Sequence, residues 1–378
     1  MGILHRHIFA SIAGAGAAAV GLFTFVLIAG QALRDLMGYV AAGQLQPESA
    51  LKLLWLLLPY VAVNALPIGL LTAVLLVLGR MSSQQEITAM RAAGLGLGYV
   101  CRPIWVIAGA AVVLSLYLNF YAMPQSRTAY RATLIEAVRQ SPLSFIVPKT
   151  FVRDFPGFVV YVGERDGSEM RDFWLWQLDS QQQVVGMARA KTGSIDYRET
   201  DNMLVLTLRD VSVEPRDRDR PEDFSKPQPI ANSGSSSFEL SLEGVFGGAN
   251  PVRKTKWLTL DQLLSRRAEL RAPGAEASEA QRAELTRVTM TISEKAATSF
   301  AVLALAMVAV PLGIKVSRKE TSANLGIAVL LVLGFYFFST LTGMLERHPA
   351  LRPEIWVWLT PAGYAAAGVW LFRRVDRA

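Results

Sequence analysis

The sequence predicts an α-helical membrane protein with six transmembrane helices and one inserted all-β domain. Of its 378 residues, 52% are hydrophobic and only 18% are charged, which is too apolar for an ordinary soluble chain. The apolar residues concentrate in the first third and the last quarter. Between these blocks lies a polar stretch of short runs rich in β-forming residues.

A bilayer core takes about 20 mostly apolar residues per helix. Six runs qualify: Ile8 to Leu33, Leu53 to Gly79, Pro103 to Ala122, Ala296 to Ile314, Leu325 to Leu345, and Ile355 to Phe372. The first continues past Ala17 to Ala29, longer than the apolar part of a cleaved signal peptide, so it reads as an uncleaved span. With the six spans alternating, His5, Arg6, His7, Arg80, Arg91, Arg102, Lys315, Arg318, Lys319, Arg373 and Arg374 fall on one side. The positive-inside rule makes that side cytoplasmic, with both termini in it and the middle of the chain outside. Topology thereby accounts for the net charge of +7, and no nucleic-acid partner is expected.

Pro59 and Pro67 interrupt the second span, Pro311 the fourth and Pro361 the sixth, each removing a backbone hydrogen bond and favouring a bend. In the first span Ala10, Gly14, Ala17 and Gly21 form a small-residue face suited to close helix contact, for packing or for a moving gate. Trp55, Trp105, Trp356 and Trp370 near span ends read as interfacial anchors.

In the middle segment, Gly157 to Val162, Phe173 to Leu178, Val184 to Ala188 and Met203 to Leu208 read as strands. Glu214 to Ser237 reads as a loop, Phe238 to Val245 as a last strand, and Leu260 to Leu285 as a helical return to the membrane. A small sandwich or open roll fits. The expected organisation is a first membrane block over 1–122, an outside domain over 123–295 with its return segment at about 258–285, and a second block over 296–378.

The chain carries few signs of chemistry. Cys101 is its one cysteine, which excludes an internal disulfide, and His5, His7 and His348 make no metal-spaced cluster. No P-loop, Gly-x-Ser-x-Gly or His-Glu-x-x-His run occurs, and no span holds a carboxylate pair. The expectation is no enzyme and no cofactor in this chain.

The most informative stretch is Arg80 to Gly94, a short polar-faced helix between two apolar runs. Ser83 and Glu86 have capping-box spacing and Gly94 suits a helix end. Ile87 and Met90 share a face, while Glu86 and Arg91 remain available to a partner. One reading is a coupling helix at 82–94 that receives force from another protein; the other is a capped connecting loop.

The run Glu-Ile-Thr-Ala-Met-Arg-Ala-Ala-Gly over 86–94 resembles the cytoplasmic loop of the lipopolysaccharide export permeases, the LptF/LptG (YjgP/YjgQ) family. Asn119 to Pro124 resembles that family's exit from its third span, Leu206 to Asp210 a late strand, Leu303 to Gly313 its fourth span, and Asn324 to Ala328 the opening of its fifth. The chain departs from the family at Thr291 to Lys295, where an acidic-Leu-His-Arg-like run is usual.

The resemblance implies one permease half of an ABC-type transporter in the bacterial inner membrane, with a periplasmic jellyroll-like β domain. It implies a paralogous half or second copy, a cytoplasmic LptB-like ATPase dimer that hydrolyses ATP with Mg, a bitopic LptC-like protein and an LptA-like periplasmic bridge. Lipopolysaccharide would enter between spans one and five of opposite halves. Glu86, Ile87, Met90 and Arg91 would then couple to the ATPase. Arg34, Lys52, Arg127 and Arg131, basic residues at the outer ends of the first three spans, are the candidates for substrate phosphate. Snorkelling to ordinary phospholipid headgroups is the alternative for all four. For acyl chains the candidates are Phe23, Phe25, Leu27, Phe335, Phe337 and Phe338, with Val160, Val162, Trp174 and Trp176 facing the β-domain interior. Two rival readings remain: an ABC permease of the mechanotransmission type, which the three-plus-three arrangement of spans argues against, and an envelope scaffold that transports nothing.

Overall fold

The structure, a computed structural model, describes residues 2–32, 36–37, 40, 45–140, 148–153, 155, 157–166, 169–179, 183–198, 203–215, 231–241, 255–271, 279–316, 321–344 and 352–377. Helix α1 (Ile3–Leu27) ends in a π-type turn, and α2 (Pro47–Ser83) is followed by the short α3 (Glu86–Ala92) and α4 (Leu97–Val100). Helix α5 (Arg102–Tyr117) passes through a π-type turn at Leu118–Ala122 into α6 (Met123–Gln140). After the strands come α7 (Leu260–Arg271), α8 (Glu279–Val316), α9 (Thr321–Met344), α10 (Pro353–Trp356) and α11 (Leu359–Asp376). Among the described residues, six helical stretches are long and apolar enough to cross a membrane: 3–30, 47–83, 102–134, 281–315, 326–344 and 354–376. The expected spans lie within or largely within them, but the second, third and fourth run on beyond the apolar cores because no breaker stops the helix there.

The chain divides into two compact units. One joins residues 1–33, 54–129 and 254–378, and the other joins 34–53 and 130–253.

In the membrane unit α2 and α8 are central. Of their most apolar stretches 78% and 67% are buried, against 11% for those of α1 and α9. The core runs through Ile8 and Ile12, Leu70 to Met81, Ile104 and Ala108, and Ala301 to Val310. Three glycines bring neighbouring helices close together. A Cβ on Gly69 would lie 2.7 Å from the Val20 backbone nitrogen, one on Gly368 2.6 Å from the Met307 carbonyl carbon, and one on Gly313 3.0 Å from Leu78 Cβ.

The small-residue face expected on the first span is not the one in contact. Ala10, Gly14, Ala17 and Gly21 are exposed, and α1 packs instead through Ile8, Ile12 and Gly16, a neighbouring stripe with more volume to bury. The four prolines also divide. Pro59, Pro67 and Pro311 lie within continuous helices, whereas Pro361 falls in the first turn of α11, where a missing N–H costs no helical bond.

The second unit is built on one antiparallel sheet of sequential strands: β1 (Phe151–Val152), β2 (Phe158–Asp166), β3 (Glu169–Leu178), β4 (Val184–Arg198), β5 (Met203–Pro215) and β6 (Ala231–Ser241). Residues 231–237, expected as loop, belong to β6, because pairing with β5 supplies their backbone bonds whatever their side-chain propensity. Of the expected last strand, 238–241 belong to β6, while its residues 242–245 and residues 216–230 of the expected loop lie outside the described residues.

A crease crosses this sheet. The pairing skips Gly163, Asp172, Lys191, Asp210 and Gly234, which lie opposite one another on successive strands. Asp172 and Asp210 both take φ 53, in the left-handed region. At this row three strands show two consecutive residues outward: Arg171 and Asp172, Lys191 and Thr192, Arg209 and Asp210. Each of these strands therefore changes the parity with which it faces the core while the register is kept, because one residue on each strand is left out of the pairing. Val160, Val162, Phe173, Leu175, Ala188, Ala190 and Val211 on one side of the crease, and Met170, Ile195, Leu206 and Leu208 on the other, join in one buried cluster.

The glycine contacts give a direct test. Gly69→Ala and Gly368→Ala should each destabilise the membrane unit by about 1–3 kcal/mol through overpacking, while Gly14→Ala and Gly21→Ala, with nothing within 4 Å, should be near neutral. Thermal unfolding of the four variants in detergent measures this; equal losses at all four would contradict the packing.

Candidate functional site

The loop end of the membrane unit presents α3. Its N-terminus is reached through Gln85 at φ 62, and no side chain caps it. The capping box expected of Ser83 and Glu86 does not form. Because α2 runs through Ser83, that hydroxyl donates back to the Arg80 carbonyl at 2.8 Å. Gly94 does end the helix: at φ 84 it donates to the Arg91 carbonyl at 2.9 Å, and Leu95 donates to the Met90 carbonyl at 3.1 Å. This pair of bonds is a Schellman motif.

Ile87 is 4% exposed within the bundle core and Met90 packs against that core, so one face of α3 is fixed to the membrane unit. Glu86 is half-buried and Thr88, Ala89, Arg91 and Ala92 are exposed. Arg91 makes one long contact of 3.5 Å to the Asp376 carbonyl. Side-chain bonds lock the surrounding helices. Ser82 donates to the Ile314 carbonyl at 2.7 Å, joining α2 to α8, and His5 Nε2 lies 3.0 Å from the Tyr99 carbonyl. Cys101 beside them is buried, and its thiol pKa is pushed up to about 12, first by burial and then by Asp376.

At the other end of the bundle, from which the chain leaves for its β strands, polar side chains gather. Asn119, in the π-type turn and 4% exposed, donates to the Ser115 carbonyl at 3.1 Å and to Ser299 Oγ at 3.0 Å. Ser299 donates to the Lys295 carbonyl at 2.9 Å. Lys295, 5% exposed, donates to the Leu258 carbonyl at 3.0 Å, and Lys256 pairs with Glu294 at 3.1 Å. A cavity of about 980 Å³ opens here, lined by Asn64, Lys256, Arg287, Glu294, Tyr336 and Ser339 among others. Its volume suits part of a large amphipathic ligand.

The predicted residues separate as follows. Glu86, Ile87, Met90 and Arg91 share α3, with Ile87 inward and Arg91 outward. Arg127 stacks its guanidinium 3.6 Å from the centroid of the Tyr60 ring, and its Nε is buried without a hydrogen-bond partner among the described residues. Lys52 and Arg131 belong to the other unit, and Arg34 lies outside the described residues. Of the acyl-chain candidates, Phe25, Leu27, Phe337 and Phe338 are exposed, but Phe335 is 5% exposed core. Trp174 and Trp176 do not face the β-domain interior. They pair with Tyr161 and Val159, one residue out of step with the inward Val160 and Val162. The sequence reading passed over Asn64, whose only signal was an amide inside an apolar run, and met Asn119 only as the start of a family-like run and Glu294 and Lys295 only as a departure.

A family model described as lipopolysaccharide export system permease LptF/LptG matches residues 6–374. The chain belongs to that family. Curated relatives named lipopolysaccharide export system permease protein LptF, from Escherichia coli strain K12, Escherichia coli O157:H7 and Shigella flexneri, are each 23% identical over 341 residues. These alignments cover 90% of this chain and 86% of each relative. As a member of the LptF/LptG family the chain is a membrane permease subunit for lipopolysaccharide export.

The raised thiol pKa implies an inert cysteine. At pH 8 a group with a pKa of about 12 is thiolate to roughly one part in ten thousand. Maleimide should leave Cys101 of the folded permease unlabelled and modify it on unfolding in denaturant; rapid labelling of the folded chain would show that the loop end opens.

Proposed function

We propose that this permease subunit forms half of an ABC-type exporter in the bacterial inner membrane, driven by a separate cytoplasmic ATPase dimer. The observation that carries the proposal is the form of α3: a helix tied by Ile87 to the bundle core at one face and presenting Arg91 at the other. A helix anchored in this way moves with α2 and α8 instead of yielding alone. Force applied at Glu86 and Arg91 would therefore reach the spans.

In this reading both termini and α3 lie in the cytoplasm and the β strands in the periplasm. A second permease half completes the lipid cavity, a bitopic LptC-like protein joins the complex, and an LptA-like bridge accepts the lipid. Helices α1 and α9, which bury little of their surface within the chain, would line the lateral entrance. Arg127 would meet a lipid phosphate. Its guanidinium is held flat by Tyr60, and its unpaired Nε still requires an acceptor. Arg34, Lys52 and Arg131 remain further candidates for phosphate contact, each to be tested by itself.

Two measurements test the reading. Purified in mild detergent, the wild-type chain should bring down an ATPase dimer and Glu86→Ala should lose it; a chain that purifies without an ATPase sinks the proposal. Arg127→Ala should lower lipopolysaccharide release in a reconstituted system by about tenfold, consistent with loss of one charged hydrogen bond. Arg127→Lys should recover only part of this, since an ammonium keeps the charge without the flat stacked fork.

A further inference from the structure

The outward face of the β sheet carries side chains that neither the core nor the route just described uses. Phe151, Tyr161, Trp174 and Arg189 form one row across β1 to β4, with Trp176 in the row beside it. Their rings are in mutual contact: Phe151 lies 5.0 Å from Tyr161 and 5.6 Å from Trp176, and Trp174 and Trp176 stack at 5.8 Å with 15° between planes. Trp174 is held in place, donating its Nε1–H to Asp172 at 3.0 Å while the Arg189 guanidinium sits 4.3 Å from its ring centroid. Asp172 also accepts from Arg189 at 3.4 Å. A carboxylate in the left-handed region at the crease thus fixes both an indole and a guanidinium on an exposed face.

Across the crease on the same strands lies a cleft of about 580 Å³. Lys149, Arg165, Arg171 and Arg209 line it, interleaved with the carboxylates of Glu164, Asp166 and Glu169, so its charge is mixed with one cation in excess. Arg171 and Arg209 are exposed on the same face as Trp174, because parity inverts at the crease. Aromatic rings, an Asp–Arg pair and a cleft carrying the Arg171 and Arg209 guanidinium groups therefore sit side by side.

We propose that this face docks the phosphorylated saccharide head of the exported glycolipid. The inference rests on the export reading and names a second part of the substrate for it. The C–H faces of a pyranose match the negative faces of aromatic rings, and its hydroxyls match the Asp172–Arg189 pair. Its phosphates match the guanidinium groups of Arg171 and Arg209. A protein partner recognised through aromatics alone would have no use for the guanidinium groups of Arg171 and Arg209, and an acyl chain would have none for the Asp172–Arg189 pair.

The test uses the full-length chain in nanodiscs and, as probe, lipopolysaccharide core oligosaccharide stripped of acyl chains but retaining its phosphates. Binding to wild type is expected, about tenfold weaker for Trp174→Ala/Trp176→Ala and for Arg171→Ala/Arg209→Ala. The dephosphorylated oligosaccharide should lose the difference between wild type and the arginine variant. The arginine pair is exposed, so it serves even if the tryptophan variant unfolds. Unchanged binding in the arginine variant overturns the proposal, as does a wild type that binds intact lipopolysaccharide but not the acyl-free probe; in the latter case the export reading stands. Failure to bind intact lipopolysaccharide counts against the export reading itself.

Discussion

Apolar side chains gain little by leaving lipid for one another, so membrane helices hold together through short-range contact and polar bonds. In this protein Gly69, Gly313 and Gly368 let α1, α2, α8 and α11 approach until backbone meets side chain or backbone. Pro59, Pro67 and Pro311 are tolerated because they sit in the two most buried helices, where neighbours stabilise the interrupted backbone. The outcome is a stiff pair, α2 and α8, with α1 and α9 held more loosely around it. Ser82, bonded to the Ile314 carbonyl, fastens this pair at the end where α3 docks.

The opposite end is held by polar bonds. Asn119, Ser299 and Lys295 link the π-type turn to α8, and Lys295 carries the connection on to the Leu258 carbonyl. Buried without partners, these groups would cost several kcal/mol in an apolar surrounding. Bonded to one another, they fix where the chain re-enters the bundle after its strands. Asn119 and Lys295 also border a cavity of about 150 Å³, which shares Asn64, Lys256, Glu294 and Thr298 with the cavity of about 980 Å³, so two of the groups that position the return segment also give the smaller space polar walls.

Composition and flanking charge made the six spans legible, because a bilayer imposes length and polarity on any helix that crosses it. Residue-level orientation was less legible. The stripe Ala10, Gly14, Ala17 and Gly21 has the right spacing for contact, yet spacing does not say which of two adjacent stripes faces inward; the volume of Ile8 and Ile12 decided it. Ser83 had the right spacing for a cap, but α2 reached it first. Ile87 and Gly94 were readable because each has a single physical role, burial and a positive φ. In the β strands simple alternation failed, since Trp174 and Trp176 are as β-prone as Phe173 and Leu175 and nothing local distinguishes the two faces.

The crease makes this last failure informative. A strand that keeps period two presents one apolar set throughout, whereas here Leu206 and Leu208 continue the core that Val211 begins only because Arg209 and Asp210 both turn outward. The resulting core is closed, with Val160, Val162, Phe173, Leu206 and Leu208 fully buried. Within the proposed export route an acyl chain that enters it displaces side chains as apolar as itself, so the hydrophobic term nearly cancels. What remains is the cost of bending strands, and that cost is least where the ladder is already interrupted. Asp172 and Asp210 hold left-handed backbone at that line, where the two parts of the core meet.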